Sequence, residues 1–236
     1  MTNVKLKENE RLDDLQLNDM FIIQNTQEYC FTSDAVLLAN FVRANSKDIV
    51  VDLCSGSGIV GILLSQKTSA KKIYLVEMQD HFVDMQTRTI KLNNLQDKVS
   101  PIHSKVQDIC NFIPRESVSV VCCNPPYKQA DKHKVSDKDS VAMCKYETEL
   151  SLSELLKSAS DLLKFGGKFY CIHQSNRLAE ILCEMKKVNL EPKVVQFIFP
   201  KISLNSNVVL IEAKKCGNVG MTVKEPMILN LESYGK

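Results

Sequence analysis

From residue 49 onward, strand-like and helix-like segments alternate along this chain, and that alternation limits the folds open to it. Short apolar runs predict strands at 49–53, 72–76, 99–103, 118–123 and 167–173. Helical stretches at about 58–66 and 80–94 lie between the early ones. Ser151-Leu152-Ser153-Glu154 is a capping box, opening a helix that runs to about 163. Phe165-Gly166-Gly167 is expected to close that helix with a glycine C-cap. From Asn176 to Val188, Leu178, Ile181, Leu182 and Met185 recur three and four apart, so a further helix has one apolar face. Strands joined by helices build a parallel, doubly wound sheet. Two final strands, near 193–199 and 206–213, are joined by too few residues for a crossover helix and must pair antiparallel. The expectation is an α/β fold with a mostly parallel, seven-stranded doubly wound sheet whose last strand is antiparallel.

Ahead of this core, residues 1–19 are polar and are expected to fray. Residues 20–24 and 28–31 flank Asn25-Thr26-Gln27 as a short N-terminal hairpin. Thr32-Ser33-Asp34 offers caps for a helix over 35–42. The chain therefore divides into an extension with its hairpin, 1–31, and a main domain, 32–236.

Bulk properties narrow the function classes. With 30 basic and 28 acidic residues the net charge is +2, so any RNA contact must come from a local patch. Among the nine cysteines there is no C-x-x-C pair and no Cys/His spacing that suits zinc, so no metal is expected. Cys54, Cys122, Cys123, Cys171 and Cys183 sit inside apolar runs, where cysteine behaves as a small hydrophobe. The polar amino terminus does not read as a signal peptide, and no apolar stretch reaches the ~18 residues that would span a bilayer. A reduced, cytoplasmic protein without a membrane partner is expected, either a monomer or a weak dimer.

Two turns carry the chemistry. The first joins a strand to a helix through Asp52-Leu53-Cys54-Ser55-Gly56-Ser57-Gly58-Ile59-Val60-Gly61. It contains G-x-G-x-x-G, with Glu77 lying 21 residues past Gly56 at the next strand's end. Glycines let a backbone approach a ligand closely, and an acceptor-only carboxylate suits two ribose hydroxyls. An acid at Asp52 would repel a pyrophosphate but suits a ligand with an ammonium and a sulfonium, so S-adenosylmethionine fits better than a dinucleotide. The second turn, Asn124-Pro125-Pro126-Tyr127, ends the apolar run 118–123, because prolines cannot continue a ladder. It fixes an amide, two carbonyls and a ring at a strand's carboxyl end, where open α/β sheets bind ligands. Such a set holds a flat amine. The Asn124 side-chain oxygen and the Pro125 carbonyl each accept one N–H, and Tyr127 stacks on the base at roughly 1–3 kcal/mol.

These turns resemble motifs of class I S-adenosylmethionine methyltransferases, whose first motif commonly reads D/E-x-G-x-G-x-G. Here Cys54 replaces its first glycine, and its φ is expected to be one that a non-glycine residue tolerates. The resemblance implies a Rossmann-like fold, S-adenosylmethionine as cofactor, and contacts from Asp52, Leu53, Cys54, Ser55, Gly56, Gly58, Glu77 and Met78. In that family an acid after the third strand receives the adenine amine. Lys105 stands there in this chain, so the contact falls either to Asp108 or to the backbone near Val106. Asn124-Pro125-Pro126-Tyr127 is similar to the fourth motif of methylases acting on planar amines.

Further strings occur in order along most of the chain. They are Arg11-Leu12-Asp13-Asp14-Leu15, Ile22-Ile23-Gln24, Phe31-Thr32-Ser33-Asp34-Ala35, Lys145-Tyr146-Glu147, Asn176-Arg177-Leu178 and Leu190-Glu191-Pro192-Lys193. Together they resemble the bacterial tRNA-1(Val) adenine N6-methyltransferase family, which modifies the adenosine beside the anticodon. This implies tRNA as partner and Phe31, Ser33 and Asp34 beside the cofactor; Ser33 or Asp34 capping the following helix is an equally physical reading. The segment 128–148 carries five lysines. It reads either as a solvated charged loop or as a lid offering Lys128, Lys132, Lys134 and Lys145 to RNA phosphates. His103, His133 and His173 read as satisfied or solvated side chains. Two alternatives stay open: an N-methyltransferase of another planar amine (ribosomal RNA guanine or protein glutamine), and a non-catalytic S-adenosylmethionine-binding module.

Overall fold

A computed structural model describes residues 4–28, 30–125, 150–201 and 204–229. The chain-order elements are β1 (Glu10–Asp14), β2 (Phe21–Asn25), α1 (Ser33–Phe41), β3 (Ile49–Leu53), α2 (Ile59–Lys67), β4 (Lys72–Glu77), α3 (Asp80–Leu92) and β5 (Val99–His103). Next come β6 (Val118–Cys123), α4 (Leu152–Leu162), β7 (Leu163–Gln174), α5 (Leu178–Lys187), β8 (Leu190–Phe199) and β9 (Val208–Lys215). Two short strands, β10 (Thr222–Val223) and β11 (Met227–Ile228), close the described chain. Short 3-10 turns cover Val106–Asn111 and Ser175–Arg177.

The main sheet runs β10-β8-β9-β7-β6-β3-β4-β5, with β11 also on β8. Its seven long strands match the expected sheet, and β9 is the antiparallel one, set between β7 and β8. The two short strands lie along the outer side of β8. The chain winds from β3 out through β4 to β5, then returns to lay β6 on the other side of β3. Strand order reverses between β3 and β6, which is where open sheets of this kind leave a ligand crevice.

Side chains alternate across the sheet with period two. Val50 joins the core formed with α1 and α2, whereas Val51 and Leu53 join the core formed with α4 and α5. All six residues of β6 are buried, as expected of a strand covered on both faces.

Four expectations are corrected. The hairpin pairs β1 with β2, Glu10 opposite Asn25, and not 20–24 with 28–31. Residues 10–14 are too charged to read as a strand, but Arg88 of α3 holds Glu10 with both terminal nitrogens, at 2.7 and 2.5 Å, and also grips Asp84. That bidentate pairing holds the Glu10 carboxyl below its usual range. Second, the box at Ser151 forms as expected, but α4 ends at Leu162 and Leu163 is already extended. Gly166, at φ +74°, sits in an irregularity of β7, where the register shifts opposite Val118 and Val120. Third, the N-cap of α1 is Thr32, which makes no side-chain cap bond; Ser33 and Asp34 belong to the first turn. Fourth, Cys183 is exposed, because Ile181 and Met185 on either side of it take the buried face of α5.

Candidate active site

The loop after β3 is built from left-handed residues. Cys54, Gly56 and Gly58 have φ of +55°, +53° and +86°. Cys54 thus occupies a region that favours glycine, contrary to the expectation for a non-glycine residue, at a cost of roughly 1 kcal/mol. Each glycine has its own reason. A Cβ on Gly58 would stand 2.8 Å from Leu75 Cδ1, and one on Gly61 would stand 2.1 Å from Leu75 Cδ2. A Cβ on Gly56 would have nothing within 4 Å among the described residues, so that side of the loop is open to a ligand.

Beneath, the loop is tied down. Ser55 donates its N–H and its hydroxyl to the Val76 carbonyl, at 3.0 and 3.1 Å. Gln86 Nε2 donates to Ser55 Oγ at 2.9 Å and to the Gly56 carbonyl at 2.7 Å. Gln24 Nε2 donates to Ser57 Oγ at 2.9 Å. In the sequence Gln24 stands only inside the Ile22-Ile23-Gln24 string, with no role, and Gln86 is not singled out, although Gln86 shares the buried face of α3 with Phe82, Met85 and Ile90, and a polar residue there is a usable signal.

Two acids flank the loop in different ways. Glu77, at the end of β4, is 4% exposed. It accepts the Gly56 N–H at 2.9 Å on Oε2, and those of Met78 and Gln79 at 2.8 and 3.0 Å on Oε1. Burial pushes its pKa up, against the pull of those three bonds. Oε2 accepts the Gly56 N–H and, with a second lone pair, keeps acceptor capacity. Asp52 is 1% exposed and turned inward. Its Oδ2 accepts the Gly61 N–H at 3.1 Å, and Cys122 Sγ lies 3.7 Å from Oδ1. Burial raises its pKa to about 7. The structure therefore puts Asp52 under the first turn of α2 and does not bring it to the cleft surface.

The second turn stands beside the first. Leu53 pairs with Cys123 across β3 and β6, so Cys54 and Asn124 leave adjacent strands at the same level. Asn124 is half-buried and Pro125 buried. Pro126, Tyr127, Lys128, Lys132, Lys134 and Lys145 lie outside the described residues, as do His133 and the whole 128–148 loop. A cavity of about 330 Å³ opens beside Pro125, bordered by Ser151, Leu155, His173 and Arg177.

On the cofactor side, Phe31 is half-buried, and its N–H donates to Gln24 Oε1 at 3.0 Å. Ser33 is exposed and Asp34 half-buried. Beyond β5, the Ser104 N–H reaches the Glu77 carbonyl at 2.9 Å, which brings the following turn alongside Glu77. On that turn Val106 is buried, while Lys105 and Asp108 are exposed. His103 is exposed, with Nε2 2.9 Å from the Met78 carbonyl. His173 is buried and takes the Gln174 N–H on Nδ1 at 2.8 Å; burial, helped by Arg177, pushes its pKa down to about 4.

A model of the methyltransferase small domain family matches residues 31–195. The chain belongs to that family. The methyltransferase small domain here is 26% identical over 151 residues to a tRNA1(Val) (adenine(37)-N6)-methyltransferase of Dyadobacter fermentans, covering 63% of this chain and 61% of that protein. The match thus spans less than two thirds of that relative. A protein of the same name from Phocaeicola vulgatus is 25% identical over 206 residues, 86% of either chain. The domain shares its fold with a predicted O-methyltransferase from Agrobacterium tumefaciens at TM-score 0.67 and 19% identity, over 84% of this chain and 88% of the other. It also superposes on TYW2 of M. jannaschii, solved in complex with AdoMet, at TM-score 0.60 and 17% identity, over 89% and 87%. At such identities the likeness establishes the Rossmann-like fold.

Proposed function

We propose that this protein is an S-adenosylmethionine-dependent N-methyltransferase that acts on the exocyclic amine of adenine in tRNA, next to the anticodon. One observation carries the reading: the β3–β6 register sets the glycine-rich loop and Asn124-Pro125 side by side at the sheet's carboxyl end. The names of the relatives, and AdoMet in a protein of the same fold, support it.

The residues present fit the cofactor. The open face of Gly56 admits a ligand at the loop, and buried Glu77 retains acceptor capacity for ribose hydroxyls. On this reading Phe31, Ser33, Asp34, Leu53, Cys54, Ser55, Gly58, Met78 and Val106 or Asp108 border the cofactor. Asp52 acts indirectly, by bracing Gly61. When bound, S-adenosylmethionine supplies an electrophilic methyl group. The chain supplies orientation. An aryl amine is a poor nucleophile because its lone pair is delocalised into the ring. The Asn124 side-chain oxygen and the Pro125 carbonyl each accept one N–H, which localises that pair and aims it. The proton acidifies once the nitrogen is alkylated and passes to water, so no strong base is required. Pro126 and Tyr127 belong to the same motif, and Tyr127 has the ring to stack on a base splayed from a single-stranded loop. Lys128, Lys132, Lys134 and Lys145 contact phosphates. Residues 1–31 are the N-terminal extension with its hairpin, residues 32–236 are the catalytic domain, and the enzyme works in the cytoplasm.

The test is methyl transfer from labelled cofactor to bulk tRNA, to a release factor, or to neither. Label in tRNA recovered as N6-methyladenosine is expected. Label in release factor alone overturns the substrate, and no label anywhere overturns the enzyme.

A further inference from the structure

The strand Phe21–Asn25 is seated on α3 by its backbone. Ile23 N–H donates to Thr89 Oγ1 at 3.2 Å, and Asn93 bonds both polar groups of the Phe21 backbone, at 3.0 and 2.7 Å. Ile22 and Ile23 are fully buried, which fixes the strand further. Gln24 follows at 1% exposure, and its carboxamide is used from both ends. Its oxygen accepts the Phe31 N–H at 3.0 Å, and its nitrogen donates to Ser57 Oγ at 2.9 Å. One side chain thus joins the two segments proposed as cofactor walls, the stretch leading into α1 and the loop after β3. One turn before Thr89, Gln86 grips Ser55 and Gly56 of the same loop. Hairpin, α3 and loop therefore form a closed circuit of buried hydrogen bonds.

That circuit has something to oppose. The loop carries a left-handed cysteine, Cys54, at φ +55°. Gln86 Oε1 is buried without a hydrogen-bond partner among the described residues. Both features favour relaxation of the loop once a tie is cut. We infer that Gln24 is a positioning residue, through which the N-terminal hairpin holds the glycine-rich loop in its binding-ready shape before any ligand arrives. The inference rests on the methyltransferase reading only for the identity of the ligand. A preformed loop lowers the ordering cost of binding, so loss of the tie falls on affinity and not on turnover.

The experiment compares Gln24→Leu, which keeps the bulk but not the bonds, with Ser57→Ala, which cuts the loop half of the tie alone. Amide hydrogen exchange is followed in the ligand-free proteins, and S-adenosylmethionine binding by calorimetry. In both variants, exchange at 54–58 is expected to rise about tenfold while β4 and β5 stay as protected as in the parent. The dissociation constant and KM for S-adenosylmethionine are expected to rise by about the same factor, with kcat at saturation changed less than about twofold. The double variant should be no worse than Gln24→Leu alone, since Ser57→Ala removes a bond that Gln24→Leu has already cut. Unchanged exchange at 54–58, or an equal rise across the whole sheet, overturns the clamp. Should Gln24→Leu fail to fold, Ser57→Ala decides by the same criteria. If the parent protein binds no S-adenosylmethionine, the methyltransferase reading fails while the exchange arm still judges the clamp.

Discussion

The two ends of the sheet differ in a way that size alone misrepresents. At the amino ends of β3, β6 and β7 lies a cavity of about 630 Å³, bordered by Arg43, Lys67, Lys164 and Lys168 with Asp48. At the carboxyl ends the loop after β3 is held from below and open above. Three of the amino-end cations have local work. Arg43 Nη1 donates to the carbonyls of Phe41 and Val42 at the end of α1, at 3.3 and 3.0 Å. Lys67 lies in the last turn of α2, and Lys168 pairs with Glu212 at 2.8 Å. Two helix C-termini point here, so these cations answer partial negative charge and leave little field for an anionic ligand. At the other end the acids are the buried groups, and backbone N–H donors satisfy them. What separates the two ends is preorganisation, not volume.

The glycines give the sharpest contrast. Gly61→Val is expected to cost ~3 kcal/mol or more in a urea titration, because α2 can no longer lie against Leu75. Gly166→Ala at the amino end meets, among the described residues, only Lys214 Cε at 3.5 Å, and should cost about 1 kcal/mol for its left-handed φ. Equal costs would break the comparison. Next is Glu77→Ala, expected to weaken cofactor binding about 10- to 100-fold by calorimetry. Lys164→Ala should leave that constant, and stability to within about 0.5 kcal/mol, unchanged.

Asp52 adds a pH signature. Its folded pKa of about 7 lies above the usual carboxylate value, so the folded state binds the proton more tightly. Its contribution is then full at low pH and is lost as pH rises toward about 7. Asp52→Asn should flatten that decline in unfolding free energy across roughly pH 4–7. A decline that persists in the variant assigns it to other groups. The smallest effect expected is a gain: Cys54→Gly relieves a left-handed cysteine and should stabilise by up to ~1 kcal/mol in the same titration.

The sheet, the α4 capping box and the glycine-rich crossover were legible because each is written within a few adjacent residues. Strand β1 was not, because Glu10 finds its reason in Arg88, 78 positions away. The end of α4 was misplaced because β7 starts at Leu163 with no turn residue between them, and Gly166 serves a strand irregularity. Gln24 and Gln86 reach the loop across 33 and 31 residues, contacts that no local pattern encodes. Asp52 was legible as an acid at the right turn, but only packing showed that it faces inward.

The central claim is that the loop after β3 and the turn after β6 share one reaction site. Asn124→Ala tests it most directly, with turnover on tRNA and S-adenosylmethionine affinity measured on the same preparation. The account predicts a fall in kcat of about 100-fold or more, with the dissociation constant within about twofold of the parent. Full turnover in the variant, or loss of cofactor affinity matching the loss of turnover, would contradict it.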